Sequence, residues 1–339
     1  MDNRKLILAV AGSGKTYFIV GQLNEHERFL LFTYTISGTE NLTKEVVDRF
    51  GYLPANIKIY NYFSFLYSFS YKPFLSDELG DKGIFWKHTS NFYNQNYLTG
   101  SQYLYHNKLS KLICEKIIDS VLNRISKYFD VLLVDEVQDF GGNDFNFLIE
   151  LLRLNIKIVL VGDFYQHTFD TSRDKQTNKS LHHDFNKYVE RFRKVGVTLD
   201  NNTLIKSRRC SKTTCDFIRD RLGVPIDPLF PNESFCRLIT DKTEAERIFY
   251  DHGIVKLFYQ KHYAFQCRSD NWGACKGLTF ENVCVVINDE ILQMFKQDGP
   301  FNFKSNTTKN KFYVACSRSK TNLYFIHDKL IKKINSAFP

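Results

Sequence analysis

The stretch Ala9-Val10-Ala11-Gly12-Ser13-Gly14-Lys15-Thr16 decides the reading of this chain. It is entered from the apolar run Lys5 to Val10 and left through Tyr17-Phe18-Ile19-Val20. That order predicts a strand, a glycine-bearing turn and a helix, which together aim backbone N–H groups and the positive end of a helix dipole at one point. A polyphosphate fits such a point. In the pattern G-x-x-x-x-G-K-[ST], Lys15 reaches the β and γ phosphates and the Thr16 hydroxyl holds a Mg²⁺ that bridges them, while Ala11, Gly12, Ser13 and Gly14 line the cradle. Ala9 stands where the pattern has its first glycine, and Gly12 and Gly14 still supply the turn.

The chain has 339 residues, 43% hydrophobic and 15% aromatic, enough for two buried domains. A formal charge of +9 favours a polyanionic partner such as nucleic acid. Eight cysteines include no C-x-x-C pair, and several sit in apolar runs such as Val283-Cys284-Val285-Val286, which reads as reduced thiols in a cytosol. Cys210 and Cys215 lack the second pair or histidines that zinc needs. No apolar run reaches membrane-spanning length and no signal-peptide core opens the chain, so a soluble, cytoplasmic protein is expected.

Strands are expected at Arg28 to Tyr34, Ile57 to Tyr60, Asp130 to Val134 and Ile156 to Val161, with a helix at Ser37 to Phe50 stopped by Gly51. This alternation predicts a parallel α/β sheet. Residues 67 to 128 break the rhythm and read as a mostly helical insertion, with one helix from Leu109 to Ile125. A polar stretch from Ser172 to Lys194 separates a second α/β half that begins near Gly196. There, strands are expected at Val197 to Ile205, Cys236 to Thr240, Tyr263 to Cys267, Val283 to Ile287 and Leu323 to Ile326. Helices are expected at Ser211 to Leu222, around Glu244 to His252, at Lys311 to Ser319 and at Lys329 to Ala337. The expected domains are therefore 1–195 and 196–339.

The apolar run DVLLV ends in Asp135-Glu136. Hydrolysing a nucleoside triphosphate needs a carboxylate for the metal and a base to position water, roles that suit Asp135 and Glu136 respectively.

VLLVDEVQDF resembles motif II of superfamily 1 DNA helicases of the UvrD/Rep/PcrA type, D-E-x-Q-D. AVAGSGKT is similar to that family's motif I, FTYTISGTENLTKEV to motif Ia and IKIYNYFSF to the T-F-H-S-F segment. VGDFYQHTF resembles motif III, TLIKSRRCS motif IV, WGACKGLTFENVCVV motif V and KFYVACSRSK motif VI. The resemblance implies two RecA-like parallel-sheet domains with ATP and Mg²⁺ between them, a reduced insertion in the first and none in the second. Gln166 would sense the γ phosphate, and Arg209 and Arg318 would be arginine fingers, the groups that best meet charge spreading over the γ oxygens. Tyr17 and Arg208 occupy the positions of the family's adenine sandwich with ring and cation exchanged, and Gly277 lies in the nucleotide-facing motif V. Single-stranded nucleic acid would meet Tyr34, Thr35, Tyr62, Phe63, Ser64 and Phe169, whereas Phe32 and Phe65 read as core.

The function implied is an ATP-dependent single-stranded DNA translocase or helicase moving 3′ to 5′. An alternative is a nucleotide-driven subunit controlling a partner nuclease, as in anti-phage systems such as Gabija. An RNA-directed viral helicase ranks third, because D-E-x-Q-D is typical of the DNA-acting group.

Overall fold

The computed structural model describes residues 3–87, 96–168 and 177–336. The chain divides into two compact units. The first comprises Met1–Leu8, Lys15–Phe164 and Phe169–Asn201, and the second Ala9–Gly14, Tyr165–Thr168 and Asn202–Pro339.

The first unit carries strands β1 (Arg4–Leu8), β2 (Phe29–Thr33), β3 (Ile57–Asn61), β4 (Val131–Val134), β5 (Lys157–Gly162) and β6 (Thr198–Asp200) in the order β3-β2-β4-β5-β1-β6. Every pairing is parallel. Strands β2 and β4 are wholly buried, as continuous apolar runs covered on both faces should be. Their helices obey local rules. Thr35 caps the helix Ile36–Phe50 by accepting the Gly38 N–H, and Gly51 ends it at φ 79°.

Three expectations fail in this unit. The stretch read as opening the second half forms β6, pairing Lys5 with Thr198 at the edge of the first sheet. The polar separator contains the helix Phe185–Arg193, whose buried Tyr188, Val189 and Phe192 lie hidden among charges in the sequence. The single helix from Leu109 breaks at Ile117 (φ −142°) into Leu109–Lys116 and Ile118–Tyr128. At about 100° per residue, an unbroken helix would point buried Leu109, Leu112 and Ile113 opposite to buried Val121, Leu122 and Ile125. The break lets both triplets turn inward. Just after β3, Phe65–Tyr71 is a π-helix, a rare form often found beside functional sites.

The second unit holds β7 (Cys236–Ile239), β8 (Ile254–Phe258), β9 (Ser269–Asn271), β10 (Asn282–Ile287) and β11 (Leu323–His327), in the order β7-β11-β10-β8-β9, again all parallel. Alternate residues of β10 serve opposite faces. Val283, Val285 and Ile287 join the core with the helices Lys212–Leu222 and Asn306–Cys316, while Cys284 and Val286 face Lys242–Tyr250 and Asp328–Ser336. The expected strand at Tyr263 to Cys267 is absent, and a 3-10 turn occupies His262–Ala264. The strand next to it is instead β8, an interior strand between β10 and β9, disguised by Lys256, which is buried with Nζ donating to the carbonyls of Asp251 (2.6 Å) and Ile254 (2.9 Å). Burial pushes the Lys256 ammonium below its ordinary pKa. Among the described residues, no helix is long and apolar enough to cross a membrane.

Candidate nucleotide site and nucleic-acid interface

In the first unit, β4 delivers Asp135 and Glu136 at its carboxyl end, where ligands of open parallel sheets bind. Asp135 is buried, and its Oδ1 accepts the Glu136 N–H at 2.8 Å. Glu136 adopts a left-handed backbone (φ 54°), uncommon for a residue with a Cβ and costing about 1–3 kcal/mol. Its Oε2 lies 3.8 Å from Lys15 Nζ and accepts from Gln138 Nε2 at 2.5 Å. Gln138 is fully buried, and its Oε1 accepts the Asp163 N–H at 2.9 Å, tying the ends of β4 and β5 together. That approach needs Gly162, where a Cβ would come 2.3 Å from Gln138 Oε1 and 2.6 Å from Val137 Cγ1. Lys15 and Thr16 open the helix Lys15–Gly21, and Tyr17 beside them is 69% exposed.

In the second unit, the turn Ala9–Gly14 has Gly12 at φ 70° and Gly14 at φ 90°, conformations that glycine adopts freely. A Cβ on Gly12 would lie 2.6 Å from Arg209 Cβ and 2.8 Å from Ser207 Oγ. The Arg208 N–H donates to Gly12 O at 2.8 Å, and the Ala11 N–H donates to the Tyr313 hydroxyl at 2.8 Å. Ser13 Oγ is buried without a partner among the described residues. An orphaned hydroxyl and a glycine-built turn suit a phosphate chain.

The same unit brings motifs III and VI together. Arg318 is buried; its Nε donates to Val314 O (2.9 Å), Nη1 to Leu278 O (3.2 Å) and Nη2 to Gln166 Oε1 (3.4 Å) and Ser317 Oγ (3.3 Å). Gly277, at φ 86°, precedes Leu278 in that loop. Arg209 Nη1 donates to Ser317 O at 3.2 Å. Burial and then the Arg318 charge pull the Arg209 guanidinium down to about 10. Neither arginine has a carboxylate partner among the described residues. Arg208, next to Arg209, is exposed.

Tyr34 and Thr35 follow β2, and Tyr62, Phe63 and Ser64 follow β3. Tyr34 and Phe63 are half-buried and meet edge to face at 5.9 Å. Thr35 is spent on its helix cap. Tyr62 corrects the sequence reading. It is fully buried, stacked on Tyr34 at 5.3 Å with its hydroxyl 3.1 Å from Asp144 Oδ1, so it supports the surface from below. Phe32 and Phe65 stack at 4.9 Å in the core. Phe169 lies outside the described residues.

Sequence reasoning assigned no role to Gln138 or Tyr313, although both stood inside quoted motifs. Their partners, Asp163 and Ala11, come from other motifs, so adjacency along the chain held no signal.

Asp135 and Thr16 offer one carboxylate and one hydroxyl, the sparse share a divalent cation takes when phosphates and water complete its shell. Among the described residues no cluster of three or more His, Cys, Asp or Glu could hold a metal.

A chain with these two parallel α/β units and this glycine-lysine turn falls in the P-loop class of nucleoside-triphosphate-handling enzymes. The model of the viral superfamily 1 RNA helicase core domain matches residues 110–327, well over half of the chain. The chain belongs to that family, whose members are NTP-hydrolysing helicases, and its two parallel sheets are its RecA-like folds. No curated protein matches the chain in sequence. Among solved structures, an arterivirus nonstructural protein 10 helicase complexed with DNA is similar at 13% identity and TM-score 0.52, covering 97% of this chain and 63% of the other. The helicase of PRRSV is similar at 12% identity, TM-score 0.48, with 96% and 52% covered, and a further structure of arterivirus nonstructural protein 10 at 11%, 0.46, 97% and 62%. The chain thus spans less than two thirds of the length of these neighbours, and the first likeness is one of fold. The family found is the one the motifs ranked third. The D-E-x-Q-D sequence favoured the DNA-acting UvrD type, while the match rests on residues 110–327 as a whole.

Proposed function

We propose that the chain is an ATP-driven motor on single-stranded nucleic acid, and that its NTP is ATP with Mg²⁺. The observation that carries this reading is the cationic pair of half-buried Arg209 and buried Arg318, the latter beside Gln166, lacking a carboxylate partner among the described residues. Two guanidiniums in a poorly solvated place are stabilised by an anion, and a γ phosphate gathering charge is the anion a helicase supplies. The residues proposed to meet the nucleotide in the second unit are Gln166, Arg209, Arg318 and Gly277. Those proposed in the first unit are Lys15 on the phosphates, Asp135 and Thr16 at the metal and Glu136 as the base positioning water. Tyr17 and Arg208 are proposed to meet the base, so Arg208→Ala raises KM with little change in kcat.

The two lobes are proposed to part near residue 201, with residues 67–128 as a small insertion in the first. Family membership draws RNA level with DNA as the strand. Direction, 3′ to 5′ in the motif reading, is measured by displacing streptavidin from either end of a biotinylated strand. ATPase rates with and without single-stranded DNA and RNA test the proposal: stimulation by either supports it, and none by both removes it. A nuclease-controlling subunit would instead hydrolyse NTP without displacing streptavidin from either end.

A further inference from the structure

A two-residue parallel ribbon in the insertion pairs Ile84 with Leu104 and Phe85 with Tyr105. Trp86 and His106 are next in register, so the ribbon sets the two rings side by side. They stack at 5.8 Å with 27° between planes, and His106 Nδ1 sits 3.1 Å from Phe85 O. On another side, Trp86 meets Phe63 edge to face at 5.3 Å. Phe63 meets Tyr34 at 5.9 Å, and Tyr34 meets buried Phe140 at 5.4 Å. An aromatic run therefore begins in the core, passes the carboxyl ends of β2 and β3, and ends on an indole that is 59% exposed.

A single exposed aromatic is ordinary on a protein surface. This one is held by a ring behind it and a ring at its edge, and the residues holding it adjoin those proposed to contact the strand. A rigid indole with an open face suits an unpaired base, since every base has a π-face and stacking needs no hydrogen-bond code.

We propose that the open face of Trp86, backed by His106 and Phe63, stacks an unpaired base of a single-stranded nucleic acid. The proposal rests on the motor reading above. It also assigns this part of the insertion a grip on the strand through bases rather than phosphates.

Intrinsic fluorescence reads the contact directly. The chain has two tryptophans. The other, Trp272, is 1% exposed with its Nε1 donating to Leu257 O at 2.9 Å, so quenching by an added strand reports Trp86. Oligo-dT and oligo-U of about 20 nucleotides quench the wild-type protein, and the quench disappears in Trp86→Phe, which still binds within a few-fold. By anisotropy of labelled strands, Trp86→Ala loses about tenfold in affinity. Its salt dependence keeps the wild-type slope, because no phosphate contact is removed. An abasic strand of equal length binds wild type and Trp86→Ala alike. Matching thermal midpoints show that the variants are folded.

Equal affinity of wild type and Trp86→Ala for base-bearing strands overturns the site while leaving the motor reading intact. So does a wild type that binds abasic and base-bearing strands equally. A wild type that binds neither kind of strand overturns both.

Discussion

In the first unit Lys15 stands 3.8 Å from Glu136, and Glu136 is held in turn by Gln138. In the second, Arg209 and Arg318 face carbonyls, a hydroxyl and an amide oxygen, with no carboxylate among the described residues. The cluster in the first unit is internally compensated, since Lys15 already has a carboxylate beside it. The second is uncompensated. Arg209, pulled down to about 10, remains a cation at neutral pH and is stabilised by any anion that reaches it. The two units thus hold their cations in two kinds of electrostatic environment.

The largest expected effects test the compensated half. Lys15→Ala reduces hydrolysis to background and weakens nucleotide binding, whereas Glu136→Gln stops hydrolysis yet keeps binding and traps the NTP-bound state. Filter binding beside a phosphate-release assay separates them, and equal loss of binding in both would reassign these roles.

Next come the arginines. Arg318→Ala and Arg209→Met each lower kcat by about 10³-fold or more, with smaller changes in KM. Lysine does not rescue either, because a point charge lacks the planar fork. Arg209→Met also sharpens the contrast, since removing one of two like charges raises the thermal midpoint of the nucleotide-free protein by roughly 2–4 °C for about 1 kcal/mol. The sign follows from linkage. A base whose pKa falls on folding carries a penalty that is full below about pH 10 and is relieved as pH rises from there toward its ordinary value. Inorganic phosphate should therefore raise the midpoint of wild type more than that of Arg209→Met, and equal shifts would mean the pair is already neutralised.

A smaller loss is expected at Gly162→Ala. The added carbon meets Gln138 and Val137 too closely, so stability drops by about 1–3 kcal/mol and hydrolysis falls as Gln138 moves off Glu136. Urea unfolding measures the first and kcat the second. An unchanged kcat would show that Gln138 is structural only.

Smallest is Tyr313→Phe. It strands the Ala11 N–H in the free protein, so nucleotide stabilises the variant slightly more than wild type in a thermal-shift titration, a phosphate oxygen being able to replace the lost hydroxyl.

Much of the fold was legible because its signals are local. Gly51 and Gly223 stop helices by entering the left-handed region, Thr35 and Ser211 start them, and the apolar run Val131 to Val134 belongs only in a sheet covered on both faces. Where reading failed, one side chain masked a pattern. Lys256 hid β8, and the charges around Tyr188 and Phe192 hid a helix. Asp135, Glu136 and Lys15 were likewise readable, since each follows a strand or turn of recognisable kind.

The sequence by itself determined the glycine-lysine turn, the alternation of strands and helices and the order of the motifs, because backbone conformation and two-sided burial are written in neighbouring residues. Only the tertiary structure decided that Tyr62 is core, that Gln138 bridges β4 and β5, and that Gln166 reaches Arg318. It also decided that Trp86 ends an aromatic run begun at Phe140. Those are contacts between segments tens to more than a hundred residues apart, and burial, charge compensation and stacking exist only once such segments meet.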